Sequence, residues 1–242
     1  MDTTKIQMQP VILSMDVDDD NSFESEYRLR IGNQVKYLSL PHLPHHEEWT
    51  TSLSNRTLAG VKCQWHPTKV DCLELERIKQ LTAMAFEAFP PSTPLVTHPP
   101  PATVIAKIAR FEWELPRIEQ ETRAYQLLEG TGLAPRFLGH IHENGRIMGF
   151  LLEKAEGRPA SFPDLSACET ALGKLHELGL VHGDVNRYNF LVTDAGAKLI
   201  DFECLRENAS PGLMSKELEN LRAELVDESG RGGGFIFHGD SD

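Results

Sequence analysis

The stretch "VHGDVNRYNFLVTDAGAKLIDFE", residues 181–203, holds Asp184, Asn189 and Asp201 within eighteen positions. Carboxylate and amide oxygens are hard ligands. Together they can hold Mg²⁺ against a phosphate while one carboxylate orients a hydroxyl. Apolar residues flank each one: Leu180 and Val181, Phe190 to Val192, Leu199 and Ile200. Two short apolar runs around a turn at 193–196 predict a hairpin that carries Asp201 back beside the loop bearing Asp184 and Asn189. Any one of the three alone reads as a turn or cap residue. The three together point to a site.

The elements that must position this loop lie upstream. "ATVIAKIARF" reads as a strand, "LPRIEQETRAYQLLEGTG" as a helix stopped by Gly130 and Gly132, and "RFLGHIHENGRIMGFLLEKA" as two strands joined at Asn144-Gly145. "LSACETALGKLHELG" predicts a helix with Ala171, Leu172, Leu175 and Leu178 inward and Gly179 as its stop. A last helix is expected near 213–226. Nearer the N-terminus, "EYRLRIGNQVKYLSL" alternates as a hairpin turning at Gly32-Asn33, and "TLAGVKCQW" suggests another strand. "DCLELERIKQLTAMAFEAF", residues 71–89, spaces Leu75, Ile78, Leu81, Thr82, Ala85, Phe86 and Phe89 as a helix would, behind Asp71 as N-cap. Residues 90–101 hold six of the fifteen prolines and predict a rigid surface connector.

The order His182-x-Asp184-x-x-x-x-Asn189, a hairpin, then Asp201-Phe202 resembles the catalytic loop and metal-binding motif of the protein-kinase-like phosphotransferases. The resemblance covers residues 102 to about 226. It implies a two-lobed α+β fold: a β-rich N-lobe over 27–152 with a helical and Pro-rich insert at 71–101, and a minimal helical C-lobe over 153–228. Independently of that resemblance, the like charges and few apolar residues of 14–26 make residues 1–26 an acidic exposed segment free to be mobile, and the glycine-rich 229–242 is expected as a loosely held tail. The resemblance also implies ATP and Mg²⁺ as cofactors. Asp184 resembles the catalytic base, Asn189 and Asp201 the metal ligands, and His182 the histidine that braces the loop. Lys107 in "VIAKIA" resembles the phosphate-binding lysine and Glu121 its helix partner, with Glu119 the fallback. By the same alignment Ile105 and Leu191 sandwich the base, Leu152 is the gatekeeper, and Glu153 to Ala155 offer hinge carbonyl and N–H groups.

Gly183, Asn186 and Glu203 stand where regulated protein kinases carry arginine, lysine and glycine. HGD followed by DFE is closer in style to choline and aminoglycoside kinases, lipopolysaccharide-core kinases and RIO-type atypical kinases. No GxGxxG precedes Lys107; "IGN" at 31–33 and "AGVK" at 59–62 are weak substitutes, and Gly230 to Gly234 is expected on the far side of the domain. The reading is phosphoryl transfer to a hydroxyl of a small molecule or protein. Its alternative is a pseudokinase scaffold that binds nucleotide or a partner.

The chain of 242 residues, 40% hydrophobic, can fill a sizeable core, and its 36 acidic against 24 basic residues give a net charge of −12. That charge opposes binding to nucleic acid or anionic membrane. Four cysteines without a CxxC pair suit reduced thiols. With no apolar run long enough to span a bilayer, an intracellular protein, cytoplasmic or nuclear, is expected. His42, His45 and His46 near Glu47 and Glu48 lack zinc-site spacing.

Overall fold

The computed structural model describes residues 9–17, 24–40, 59–91 and 102–233. The fold is α+β. A six-stranded sheet has the order β4-β8-β9-β7-β6-β5, formed by β4 (Lys69–Asp71), β5 (Arg77–Gln80), β6 (Ala85–Ala88), β7 (Val104–Ile108), β8 (Phe137–Glu143) and β9 (Arg146–Glu153). All its pairings are antiparallel except β4 with β8. The β8–β9 turn follows its sequence: Asn144 (φ 49°) and Gly145 (φ 85°) take the left-handed conformations a tight hairpin needs. Register puts Lys107 of β7 between Ala85 of β6 and Phe150 of β9. The helix α1 (Leu115–Leu127) packs on this sheet, burying Ile118, Thr122, Ala124 and Tyr125. Tyr125, Phe137, Phe150 and Phe202 stack edge and face in one core.

The second half carries α2 (Leu165–Glu177), β11 (Phe190–Thr193), β12 (Gly196–Leu199) and α3 (Pro211–Val226), with the short β10 (Arg158–Pro159) beside β11. Ser210 caps α3 through Leu213 N–H, and Pro211 occupies its first position. In α2, Ala171, Leu172 and Leu175 are buried as expected, whereas Leu178, past the last turn, is 49% exposed.

Four regions differ from expectation. Residues 71–89 are not a helix: Asp71 does accept the Leu73 N–H, but it caps a single 3₁₀ turn, and β5 and β6 follow. Pairing of β6 with β7 buries Phe86 and Ala88 and leaves Ile78 and Phe89 exposed, so tertiary pairing overrides the helical spacing. Within the expected mobile segment, β1 (Val11–Asp16) pairs with β2 (Ser25–Ile31), which pairs with β3 (Gln34–Leu40) across Gly32. "TLAGVKCQW" contains no strand over its described residues 59–65; Glu119 accepts the Lys62 and Cys63 N–H groups there, and Val61 N–H donates to Ile147 O. The tail also differs, returning Gly232 and Gly233 to the cavity that holds Lys107. The histidines at 42, 45 and 46 and most of the Pro-rich run lie outside the described residues.

The three-stranded sheet β3-β2-β1 is tied to the β8–β9 hairpin by a buried polar cluster. Glu143, fully buried, receives Arg28 Nε at 2.7 Å, Tyr37 OH at 2.7 Å and Arg146 at 2.9 Å. Burial and the neighbouring Glu143 charge hold the Tyr37 phenol well above its ordinary pKa. Among the described residues no helix is long and apolar enough to cross a membrane, and all four cysteines are free.

Candidate functional site

Lys107 points from β7 into a cavity of about 690 Å³, where its Nζ lies 2.8 Å from Glu121 Oε1 on α1 and 2.7 Å from Asp201 Oδ1 just past β12. A third carboxylate, Glu203, is 2.9 Å away. The fallback partner Glu119 is engaged elsewhere, on the backbone of residues 62 and 63. Burial disfavours the ammonium charge, but Glu121, Asp201 and Glu203 outweigh it and hold the Lys107 pKa above normal. The two carboxylates compete unequally for this cation. Burial pushes the wholly enclosed Glu121 up to about 8 against the pull of Lys107, while for Asp201 the pull of Lys107 overcomes burial and keeps the pKa low.

Asp201 has φ 65°, a left-handed conformation unusual for a side chain with Cβ. Neighbours fix it: Leu199 N–H donates to Leu133 O, Ile200 N–H to Asn189 O, and Phe202 is fully buried. Asn189 is thereby pinned beside Asp201, and its amide nitrogen donates to Asp184 O at 2.8 Å and Asp184 Oδ2 at 3.2 Å. Buried His182 places Nε2 2.9 Å from Ile200 O, bracing one chain on the other, and burial lowers its pKa.

Ile105, Leu152, Glu153, Ala155, Leu191, Asn189 and Asp201 all line the cavity with Lys107 and Glu121. Asp184 and His182 do not. Asp184 lines a separate, smaller cavity of about 180 Å³ with Glu217, Glu224 and Arg231. Asn189, which lines the larger cavity, connects to it through its bonds to Asp184.

Glu217 escaped the sequence reading, and Asn186 and Gly183 entered it only as departures from the kinase motif. Glu217 on α3 accepts Gly183 N–H at 2.7 Å and His182 N–H at 3.2 Å and bonds His176 Nε2 at 2.7 Å, so it holds the loop backbone from behind. Asn186 accepts the Tyr188 and Asn189 N–H groups and donates to Asp184 Oδ2 at 3.3 Å. Gly183 is required by space: at φ 83°, an added Cβ would lie 2.2 Å from Cys204 O.

Most consequential is the β5–β6 turn. Leu81, Thr82, Ala83 and Met84 line the same cavity as Lys107. Gln80 Nε2 ties this turn together by donating to Thr82 O, Ala83 O and Ala85 O, and Thr82 Oγ1 accepts Ala85 N–H at 3.1 Å. The tail departs from expectation as well: Gly232 and Gly233, expected on the far side, line this same cavity. No local pattern signals that return.

No family model matches the chain. A probable bifunctional tRNA threonylcarbamoyladenosine biosynthesis protein of Methanothermobacter thermautotrophicus is 26% identical over 115 residues, which is 46% of this chain and 20% of that protein. The match thus spans about a fifth of the relative's length.

Proposed function

We propose that the chain is a phosphotransferase with a two-lobed kinase-like fold, moving the γ-phosphoryl group of ATP to a hydroxyl with the help of Mg²⁺. The observation that carries this is the convergence of Lys107, Glu121 and Asp201 within 2.8 Å contacts, across a cavity from Asn189, itself bonded to Asp184. The residues fit both groups. Ile105, Leu152, Ala155 and Leu191 offer apolar faces for a base in a cavity of ligand size. Oxygens of Glu121, Asp201 and Glu203 lie within 4.8 Å of one another, a donor set suited to a hard divalent cation.

Mg²⁺, when bound, supplies neutralisation of phosphate charge. The chain's own residues do the rest. Lys107, steadied by Glu121, faces the phosphates; Asp201 and Asn189 offer oxygens to the cation; the β5–β6 turn excludes water above them. Asp184, held by Asn186 and Asn189, accepts the proton of the acceptor hydroxyl as that oxygen attacks the γ-phosphorus and the bond from that phosphorus to the bridging oxygen breaks, ADP leaving with the electron pair.

The test is Mg·ATP binding by calorimetry together with ATP turnover on alcohol and serine-peptide acceptors. Asp184→Asn is expected to keep nucleotide affinity and lower turnover by about 10²–10⁴-fold. Unchanged turnover would refute the mechanism.

A second reading, nucleotide binding without turnover, is favoured by the three carboxylates that already surround Lys107. Thermal stabilisation by Mg·ATP with no turnover on any acceptor would support it. The relative's name adds a setting, tRNA modification, in which this chain would handle nucleotide. Its net charge of −12 argues against the chain itself contacting tRNA.

A further inference from the structure

Beyond α3 the chain doubles back onto the loop that carries Asp184. Asp227 accepts Ser229 N–H at 2.9 Å and Ser229 Oγ–H at 3.0 Å, and Gly233 N–H donates to Gly230 O at 3.0 Å. Gly230 (φ 81°) and Gly232 (φ 79°) take left-handed conformations that side chains with Cβ resist. The turn seats Gly232 directly on Asn186: an added Cβ would lie 2.5 Å from Asn186 Nδ2 and 2.7 Å from its Oδ1. A Cβ on Gly233 would touch the Tyr188 ring at 3.3 Å. Asn186 also bonds Asp184 Oδ2, so the turn stands one side chain from the proposed base. The turn takes part in both cavities: Gly232 and Gly233 line the larger one with Asn189 and Asp201, and Arg231 lines the smaller one with Asp184 itself.

We propose that residues 229–233 are an autoinhibitory strap that occupies the acceptor side of the cleft and must be displaced before a hydroxyl can reach Asp184. The proposal rests on the phosphotransferase reading. An acceptor hydroxyl has to come within hydrogen-bond reach of Asp184, and the ground beside Asp184 is what the turn covers. The strap is built to leave. None of residues 227–233 is buried, so little apolar area is lost on release. Its tether is Arg231, paired with Glu224 and Asp227 at the surface, a kind of ion pair that contributes little and weakens with salt. The glycines give close approach to Asn186 without side-chain interlocking.

Two variants of the full chain test it. Gly232→Ala drives a Cβ into Asn186, and Arg231→Glu sets a carboxylate against Glu224 and Asp227. Mass-resolved trypsin cleavage reports undocking, with Gly232→Ala cut after Arg231 several-fold faster. Phosphoryl transfer from ATP to glycerol, followed by ADP release, should then rise several-fold at subsaturating glycerol in both variants, through a lower acceptor KM. Rates unchanged or reduced in both variants, with ATP still turned over, would overturn the strap alone. Failure of every form to bind Mg·ATP would overturn the phosphotransferase reading and the strap with it.

Discussion

Glu217 Oε1 lies 2.7 Å from the amide nitrogen of Gly183, thirty-four residues away in sequence and immediately before Asp184. A carboxylate on α3 therefore fixes the backbone of the loop that bears the proposed base. The same carboxylate also accepts His182 N–H and bonds His176. Glu217→Ala leaves two amides and an imidazole without this partner and is expected to cost about 2–4 kcal/mol of stability. Glu217→Gln, which keeps an acceptor oxygen, should cost less than half of that. Urea denaturation of the three proteins checks the order, and equal midpoints for Ala and wild type would contradict the assignment.

Gly183 admits no side chain. At φ 83° an alanine is strained, and its Cβ would lie 2.2 Å from Cys204 O, in backbone that Val181 and Arg206 pin by paired hydrogen bonds. Gly183→Ala is expected to lose roughly 2–3 kcal/mol. Turnover should fall with it, because the shift falls on Asp184. Gly173, whose added Cβ meets nothing within 4 Å, is the control. Gly173→Ala sits inside α2 and should gain rather than lose stability, by about 0.5–1 kcal/mol.

Acid sensitivity is expected from His140. Its ring is fully buried, its Nε2 accepts His66 N–H at 3.1 Å, and burial, with the charges of His66 and Lys69, takes its pKa down to about 4. The unfolded chain takes up this proton near pH 6.5 and the folded chain only near 4. Between those values the unfolded state binds more protons, so stability falls as pH falls, with a slope of up to about 1.4 kcal/mol per pH unit. His140→Gln retains an acceptor but cannot titrate, and its denaturant midpoint should vary less between pH 7 and 4.5. Equal slopes in the two proteins would exclude His140 as the source.

What the sequence reveals and what it conceals divide by physical cause. Hairpins at Gly32 and Asn144-Gly145 and helices stopped at Gly130 and Gly179 are legible because left-handed turns demand particular residues locally. The cluster of Asp184, Asn189 and Asp201 is legible because its hairpin is short and its register is set by Phe190 against Leu199. The stretch 71–89 is misleading because β5 is an edge strand with Ile78 exposed, so no alternation marks it. Its pairing depends on β7, beyond a Pro-rich run. Glu217 reads as any helical glutamate until the fold brings it to Gly183. The glycines at 230 and 232 announce a turn but not where it docks.

The β5–β6 turn lines the cavity with Lys107, and under the proposed phosphotransferase reading it would cover the phosphates in place of a glycine-rich loop. Glycine loops present backbone N–H groups freely, whereas this turn is stiffened by a side chain: Gln80 Nε2 donates to the carbonyls of Thr82, Ala83 and Ala85. Gln80→Ala removes the brace without entering the core, since Gln80 is only half-buried, so stability should change by no more than about 1.5 kcal/mol. Cover over the phosphates should loosen, raising the KM for Mg·ATP several-fold while kcat changes less. Gln80→Glu is the sharper variant, because a carboxylate cannot donate to those carbonyls and adds negative charge beside the phosphates. It should weaken nucleotide binding more than alanine does. Titration calorimetry with Mg·ADP measures both without requiring turnover, and wild-type affinity in both variants would remove the turn from the site.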